Sequence, residues 1–141
     1  MSKLVRDAMT VNPRTVNMKD SVVEAAHIME KEDVGSVPVV DTDNILVGMI
    51  TDRDIALRVV AAGKDPRSTA AGDVATKEVS PTYPDASLDQ ALSQMAQRQV
   101  RRLPVIENDR VVGILAQADI VHEVRDKKAG QLVEEISESR A

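Results

Sequence analysis

A chain of 141 residues and 15.3 kDa, 43% hydrophobic and 29% charged, has the balance of one compact domain or two very small ones. It has no cysteine, which excludes disulfides, Cys-ligated metal centres and a thiol nucleophile, and Tyr83 is its only aromatic residue, so the core must be built from Val, Ile, Leu, Met and Ala. The stacking platforms of single-stranded nucleic-acid binders are missing too, and a net charge of -5 has the wrong sign for non-specific DNA binding. No apolar run is long enough to span a bilayer, and Met1-Ser2-Lys3-Leu4-Val5-Arg6 has no signal-peptide segment, so a cytoplasmic protein without nucleic-acid or membrane partners is expected.

The sequence repeats internally. A shift of 66 aligns Asp7 with Asp73, Thr10 with Thr76, Ser21 with Ser87, Ala25 with Ala91, Met29 with Met95 and Pro38 with Pro104. One residue is lost at a turn, and a shift of 65 then pairs Val47-Gly48 with Val112-Gly113 and Asp54-Ile55 with Asp119-Ile120. Two repeats follow, 5–62 and 71–126, with a tail over 127–141; the Gly63-Lys64-Asp65-Pro66-Arg67-Ser68 joint reads as a loop.

In chain order, each repeat predicts the same elements. Thr15-Val16, and its counterpart near Thr82-Tyr83, suggests a short first strand. Ser21-Val22-Val23-Glu24 and Ser87-Leu88-Asp89-Gln90 are capping boxes that open helices. Val22, Ala25, Ala26 and Met29 then mark one helical stripe, and Leu88, Ala91, Leu92 and Met95 repeat its phase. Val37-Pro38-Val39-Val40 and Leu103-Pro104-Val105-Ile106 read as strands, with the proline expected at a strand start or edge. Polar turns (Asp41-Thr42-Asp43-Asn44; Glu107-Asn108-Asp109-Arg110) lead into the apolar runs 45–50 and 111–115, so each copy holds a hairpin. Gly48 and Gly113 interrupt those runs, marking a bulge, close backbone packing or room for a ligand. Helices from about Asp52 to Ala62 and from about Ala118 to Asp126 close the units. The expected fold is α/β (α+β), two β-α-β-β-α repeats packed about a pseudo-two-fold axis, because a unit this small buries too little surface alone.

Three features recur in order in both copies: Asp7-Ala8-Met9-Thr10 and Asp73-Val74-Ala75-Thr76, the apolar-Pro-Val-apolar strand, and the Gly48-to-Asp54 pattern Gly-x-x-Thr-x-x-Asp with its second-copy counterpart. With them the chain resembles a tandem pair of cystathionine-β-synthase (CBS) domains, a Bateman module, from Val5 to about Asp126. The joint Ala61-Ala62-Gly63-Lys64-Asp65-Pro66 is similar to that of small stand-alone hypoxia-response proteins of this family.

The resemblance implies a non-catalytic regulatory module that binds adenosine-containing ligands (AMP, ADP, ATP, in some members S-adenosylmethionine) between the repeats. It implies no cofactor, the nucleotide being a regulatory ligand. The Thr hydroxyl of the motif would contact phosphate or ribose and the Asp would accept from the ribose hydroxyls, which suits a carboxylate able to take two vicinal donors. Thr51 and Asp54 fit that pattern; Asp119 keeps the carboxylate, but Ala116 has lost the hydroxyl. Thr51 and Asp54 equally fit a helix capping box. Arg101 and Arg102, matched by Gly35 and Ser36 in the first copy, stand where the family often places a basic residue reaching phosphate, and a solvated basic pair is the plain alternative. Val16, Val37 and Pro38 would line the adenine pocket by the same resemblance, though core packing also accounts for them. The family further implies a homodimer, and with no effector domain in the chain, output is expected to travel through an unidentified partner protein.

An enzyme would need a nucleophile–base pair or a metal cluster, and His27 and His122 have no partner at ligand spacing. Asp41-Thr42-Asp43-Asn44 begins like a calcium loop, but Ile45 and Leu46 stand where a ligand and the glycine belong. Leu132, Val133 and Ile136 could form a partner-facing stripe or a frayed tail. The rival function is a ligand-free dimerisation or docking module, favoured by Ala116 as the sensing module is favoured by Thr51 and Asp54.

Overall fold

The computed structural model describes residues 3–123; the tail 127–141, with Leu132, Val133 and Ile136, lies outside them. The elements in order are α1 (Val5–Ala8), β1 (Thr10–Val11), β2 (Val16–Asn17), α2 (Val22–Glu32), β3 (Ser36–Val40), β4 (Leu46–Thr51), α3 (Asp52–Ile55), α4 (Ala71–Val74), α5 (Leu88–Arg98), β5 (Arg102–Glu107), β6 (Arg110–Ala116) and a helix α6 over 117–123.

Both hairpins form, as antiparallel β3–β4 and β5–β6. In each, the ladder shifts register opposite the glycine, between Val39 and Val40 and between Val105 and Ile106. The turns rest on local polar chemistry. Asp41 Oδ1 accepts the N–H groups of Asp43 (2.9 Å) and Ile45 (3.0 Å), and Asn108 and Asp109 both take positive φ. The Asp41 carboxylate thus serves a hairpin turn. The short first strand of the second copy reduces to a single parallel bridge between Thr82 and Val105.

Pro38 lies inside β3, the central strand of its sheet, rather than at a strand start or sheet edge; Pro104 lies inside β5, an edge strand of its sheet, as expected. Pro38 is tolerated because β2 begins alongside its neighbour Val39, and its cross-strand partner Met49 directs its own N–H and C=O away, to Thr76. The missing proline donor therefore has no ladder partner to disappoint.

The helical stripes are narrower than the periodicity predicts. Val22 and Ala25 are buried in α2, and Leu88, Ala91 and Met95 in α5, whereas Ala26 and Leu92 face solvent. On α2 the core face is completed by Met29, as the periodicity predicts, and by Ile28 in place of Ala26. The closing segment of the first copy is α-helical only to Ile55, then widens into a π-turn over Ala56–Val60, closed by Ala61 N–H to Ala56 O at 2.9 Å.

The largest departure from a bead-on-string pair is an exchange of leading segments. Val5 of α1 is fully buried among Leu88, Met95, Leu103 and Leu115, the core of the second copy. β1 pairs antiparallel with β6, Thr10 opposite Ile114. Reciprocally, Ala71, Val74 and Ala75 join Val16, Val39 and Ile50 in the core of the first copy, and Thr76 bridges Met49 of β4. The two sheets, β2-β3-β4 and β1-β6-β5, are therefore each completed by the other repeat's leading segment. A third small cluster, Val40, Ile106 and Val111 with Leu46, packs where the hairpins meet.

Candidate functional site

The step from β4 into α3 places Thr51 at the N-cap. Its Oγ1 accepts the Asp54 N–H and Asp54 Oδ2 accepts the Thr51 N–H, both at 3.0 Å. The capping role of this pair is therefore filled. The Asp54 side chain is only 12% exposed and has further neighbours. The Thr76 hydroxyl, on the exchanged segment, lies 3.4 Å from each carboxylate oxygen, and Arg58 Nε lies 3.9 Å from Oδ1.

The corresponding step from β6 into α6 is sparser. Asp119 Oδ2 accepts the Ala116 N–H at 3.2 Å, and with alanine at the cap no hydroxyl returns the bond. Asp119 opens onto a cleft of about 320 Å³ between the repeats. β3 of the first copy contributes Ser36, Val37 and Pro38 to its wall. Arg102 and Ala116 come from the second copy, and Thr10, Asn12 and Arg14 from the leading segment that crosses over. Arg14 Nε meets Glu32 Oε1 at 3.4 Å, both side chains about half exposed and both lining the cleft. The cleft thus combines an apolar wall (Val37, Pro38, Ile114), two carboxylates, Asp119 and Glu32, and two guanidinium groups, of which Arg14 is paired with Glu32 and Arg102 is suited to an anion.

Of the residues singled out from sequence, Val37, Pro38, Arg102 and Asp119 come together here. Thr51, Asp54, Arg101 and Val16 do not line this cleft. Arg102 stands on the wall that holds Asp119 because it pairs with Ala116 across β5–β6. Arg101 is exposed, and its carbonyl accepts the Gln117 N–H at 2.7 Å, as Gly35 O accepts Asp52 N–H at 3.0 Å in the first copy. Val16 is buried in the first core. Thr10 closes the Asp7-Ala8-Met9-Thr10 motif but carried no site role there, and Asn12 and Arg14 belong to no local motif; only the exchange of segments brings them to Asp119.

Among the described residues, no group of three or more His, Cys, Asp or Glu could hold a metal ion, and no helix is long and apolar enough to cross a membrane.

The family model described as "CBS domain" matches twice, over residues 5–61 and 71–126. Hypoxic response protein 1 of Mycobacterium tuberculosis is 37% identical over 131 residues, covering 93% of this chain and 92% of that protein. A crystal structure of Hypoxic Response Protein I with two coordinated zinc ions superposes with a TM-score of 0.80 at 38% identity, over 85% of this chain and 98% of that one. The CBS domain pair of protein MJ0100, in complex with 5′-methylthioadenosine and S-adenosyl-L-methionine, gives a TM-score of 0.79 at 30% identity, over 90% and 99% of the two chains. CBSX2 in complex with AMP gives 0.76 at 25% identity, over 89% and 98%.

Proposed function

From the premise that this chain belongs to the CBS domain family, as a tandem pair of the non-catalytic, regulatory kind, we propose that it binds an adenosine-containing ligand in the cleft beside Asp119 and signals its presence to a partner protein. The observation that carries this reading is the meeting of Asp119 and Arg102 on one inter-repeat cleft with an apolar wall. Asp119 would accept from the ribose hydroxyls, Val37 and Pro38 would flank the base, and Arg102 would grip phosphate, with AMP, ADP and ATP as the ligands to try. Relatives of the same fold hold AMP, 5′-methylthioadenosine and S-adenosylmethionine.

Calorimetry on purified protein tests it. Asp119→Ala should weaken AMP and adenosine alike, by roughly 10- to 100-fold if a charge-assisted hydrogen bond worth about 1.5–3 kcal/mol is lost. Arg102→Ala should weaken AMP far more than adenosine and flatten the salt dependence, since only the charged ligand loses a partner. If AMP, ADP, ATP, adenosine, 5′-methylthioadenosine and S-adenosylmethionine all fail to bind, the ligand-free docking module, which the missing hydroxyl at Ala116 favours, takes its place.

Assembly belongs to the same proposal. Leu57 and Val60 on the closing segment of the first copy are 51% and 70% exposed, and Val121 on α6 is 43% exposed, apolar side chains that a second copy could cover. A homodimer working in the cytoplasm is the expected form. Sedimentation at micromolar concentration should give twice 15.3 kDa, and a monomer would remove this part of the proposal.

A further inference from the structure

Resting on the adenosyl-ligand reading, we propose that Arg58 closes the first copy's carboxylate to ligand, so that the pair binds one adenosyl ligand per chain rather than two. Both oxygens of Asp54 are engaged. Oδ2 takes the Thr51 N–H at 3.0 Å, Arg58 Nε stands 3.9 Å from Oδ1, and the Thr76 hydroxyl lies 3.4 Å from each. Arg58 is also fastened elsewhere: its Nη1 donates to the Val74 carbonyl at 2.9 Å. One guanidinium thus ties Asp54 of α3 to the end of α4, the exchanged segment that completes the first core. The α-helix gives way to the π-turn at this point, with Val59 fully buried beside the outward Arg58.

The second copy has the opposite charge at the matching position. A shift of 65 takes Arg58 to Glu123, which pairs with Lys3 at 3.2 Å. Asp119 therefore has an acid, not a guanidinium, four residues on. Among the described residues, its one hydrogen-bond donor is the Ala116 N–H. A carboxylate offers about four acceptor positions. A ribose diol arriving at Asp119 finds one used; at Asp54 it meets a hydroxyl shared between both oxygens and a guanidinium at ion-pair distance, itself tied to Val74. The copy with the complete Thr-x-x-Asp motif is the closed one, and the copy that lost its threonine is the open one.

The test is calorimetric stoichiometry with AMP and, separately, with uncharged adenosine. Wild-type protein should take one of either per chain and lose it in Asp119→Ala. Arg58→Met and Arg58→Gln should each take two, and Arg58→Met combined with Asp54→Ala should return to one. The Gln variant keeps an amide donor for the Val74 carbonyl, so one variant remains folded if loss of that tie is damaging. Both make the protein more negative, which disfavours AMP overall; a gained site runs against that trend, and adenosine is indifferent to it. Wild-type protein that already binds two overturns the proposal. So does an unchanged stoichiometry in both Arg58 variants, whatever the wild-type value. If the wild type binds none and both variants bind one, Arg58 is the block and the Asp119 reading has failed by itself.

Discussion

A Cβ built on Gly48 would lie 2.5 Å from the Thr76 carbonyl oxygen, and one on Gly113 would lie 2.8 Å from Met9 Sδ and 3.1 Å from Thr10 O. These are equivalent places, where the exchanged leading segment crosses a strand at backbone contact. The obstacle at Gly48 is backbone held by paired bonds between Met49 and Thr76 (3.0 and 2.8 Å); at Gly113 the nearest atom is the end of a flexible side chain. Gly48→Ala should therefore destabilise by roughly 1–3 kcal/mol, the usual range for overpacking, and Gly113→Ala by less. Urea unfolding of the two variants side by side checks the order. Both glycines stand out in the sequence as breaks in apolar runs, and close backbone packing was among their expected roles. What they pack against was not legible, because Thr76 and Thr10 belong to the other repeat.

Among the elements, α2 and α5 show how far a motif carries. Both begin with serine and an acid or amide three residues later, and both helices form where that pattern puts them. Only the second box closes: Ser87 Oγ accepts the Gln90 N–H at 3.1 Å, whereas the Glu24 N–H goes to the Ser21 carbonyl at 3.0 Å. Ser87→Ala should cost about 1 kcal/mol, the usual value of a lost cap, and Ser21→Ala much less. Thermal melts of both variants distinguish them. Periodicity and turn chemistry made the hairpins and the central helices readable, since both are local. The π-turn after Ile55 has no such signature, and with it Arg58 escaped notice as a neighbour of Asp54. Arg14 was hidden for another reason: its chemistry with Asp119 depends on β1 joining β6.

Across the molecule the described residues join the two copies at each core's borrowed segment and at the contact between hairpins. At that contact Asn44 Nδ2 donates to Val111 O at 3.0 Å, the Leu46 N–H to Asp109 O at 3.0 Å and Arg110 Nε to Asp43 O at 3.1 Å. Val5→Ala removes two buried carbons, each worth about 0.8 kcal/mol, and leaves a cavity, so a loss on the order of 2–3 kcal/mol is expected. Its mark in hydrogen exchange should fall on α5, β5 and β6, distant in sequence, before β3 and β4; faster exchange in β3 and β4 first would contradict the exchanged packing. The same crossing has a consequence in time. A ribosome that has released residues up to the end of the first repeat has not yet supplied Ala71, Val74 and Ala75, so that half emerges with a gap in its core. Val5 and β1, at the head of the first repeat, wait for β6, near the end of the second. Synthesis from one end cannot finish one half and then the other, and the first repeat's leading segment must be held in reserve until the second repeat is nearly made.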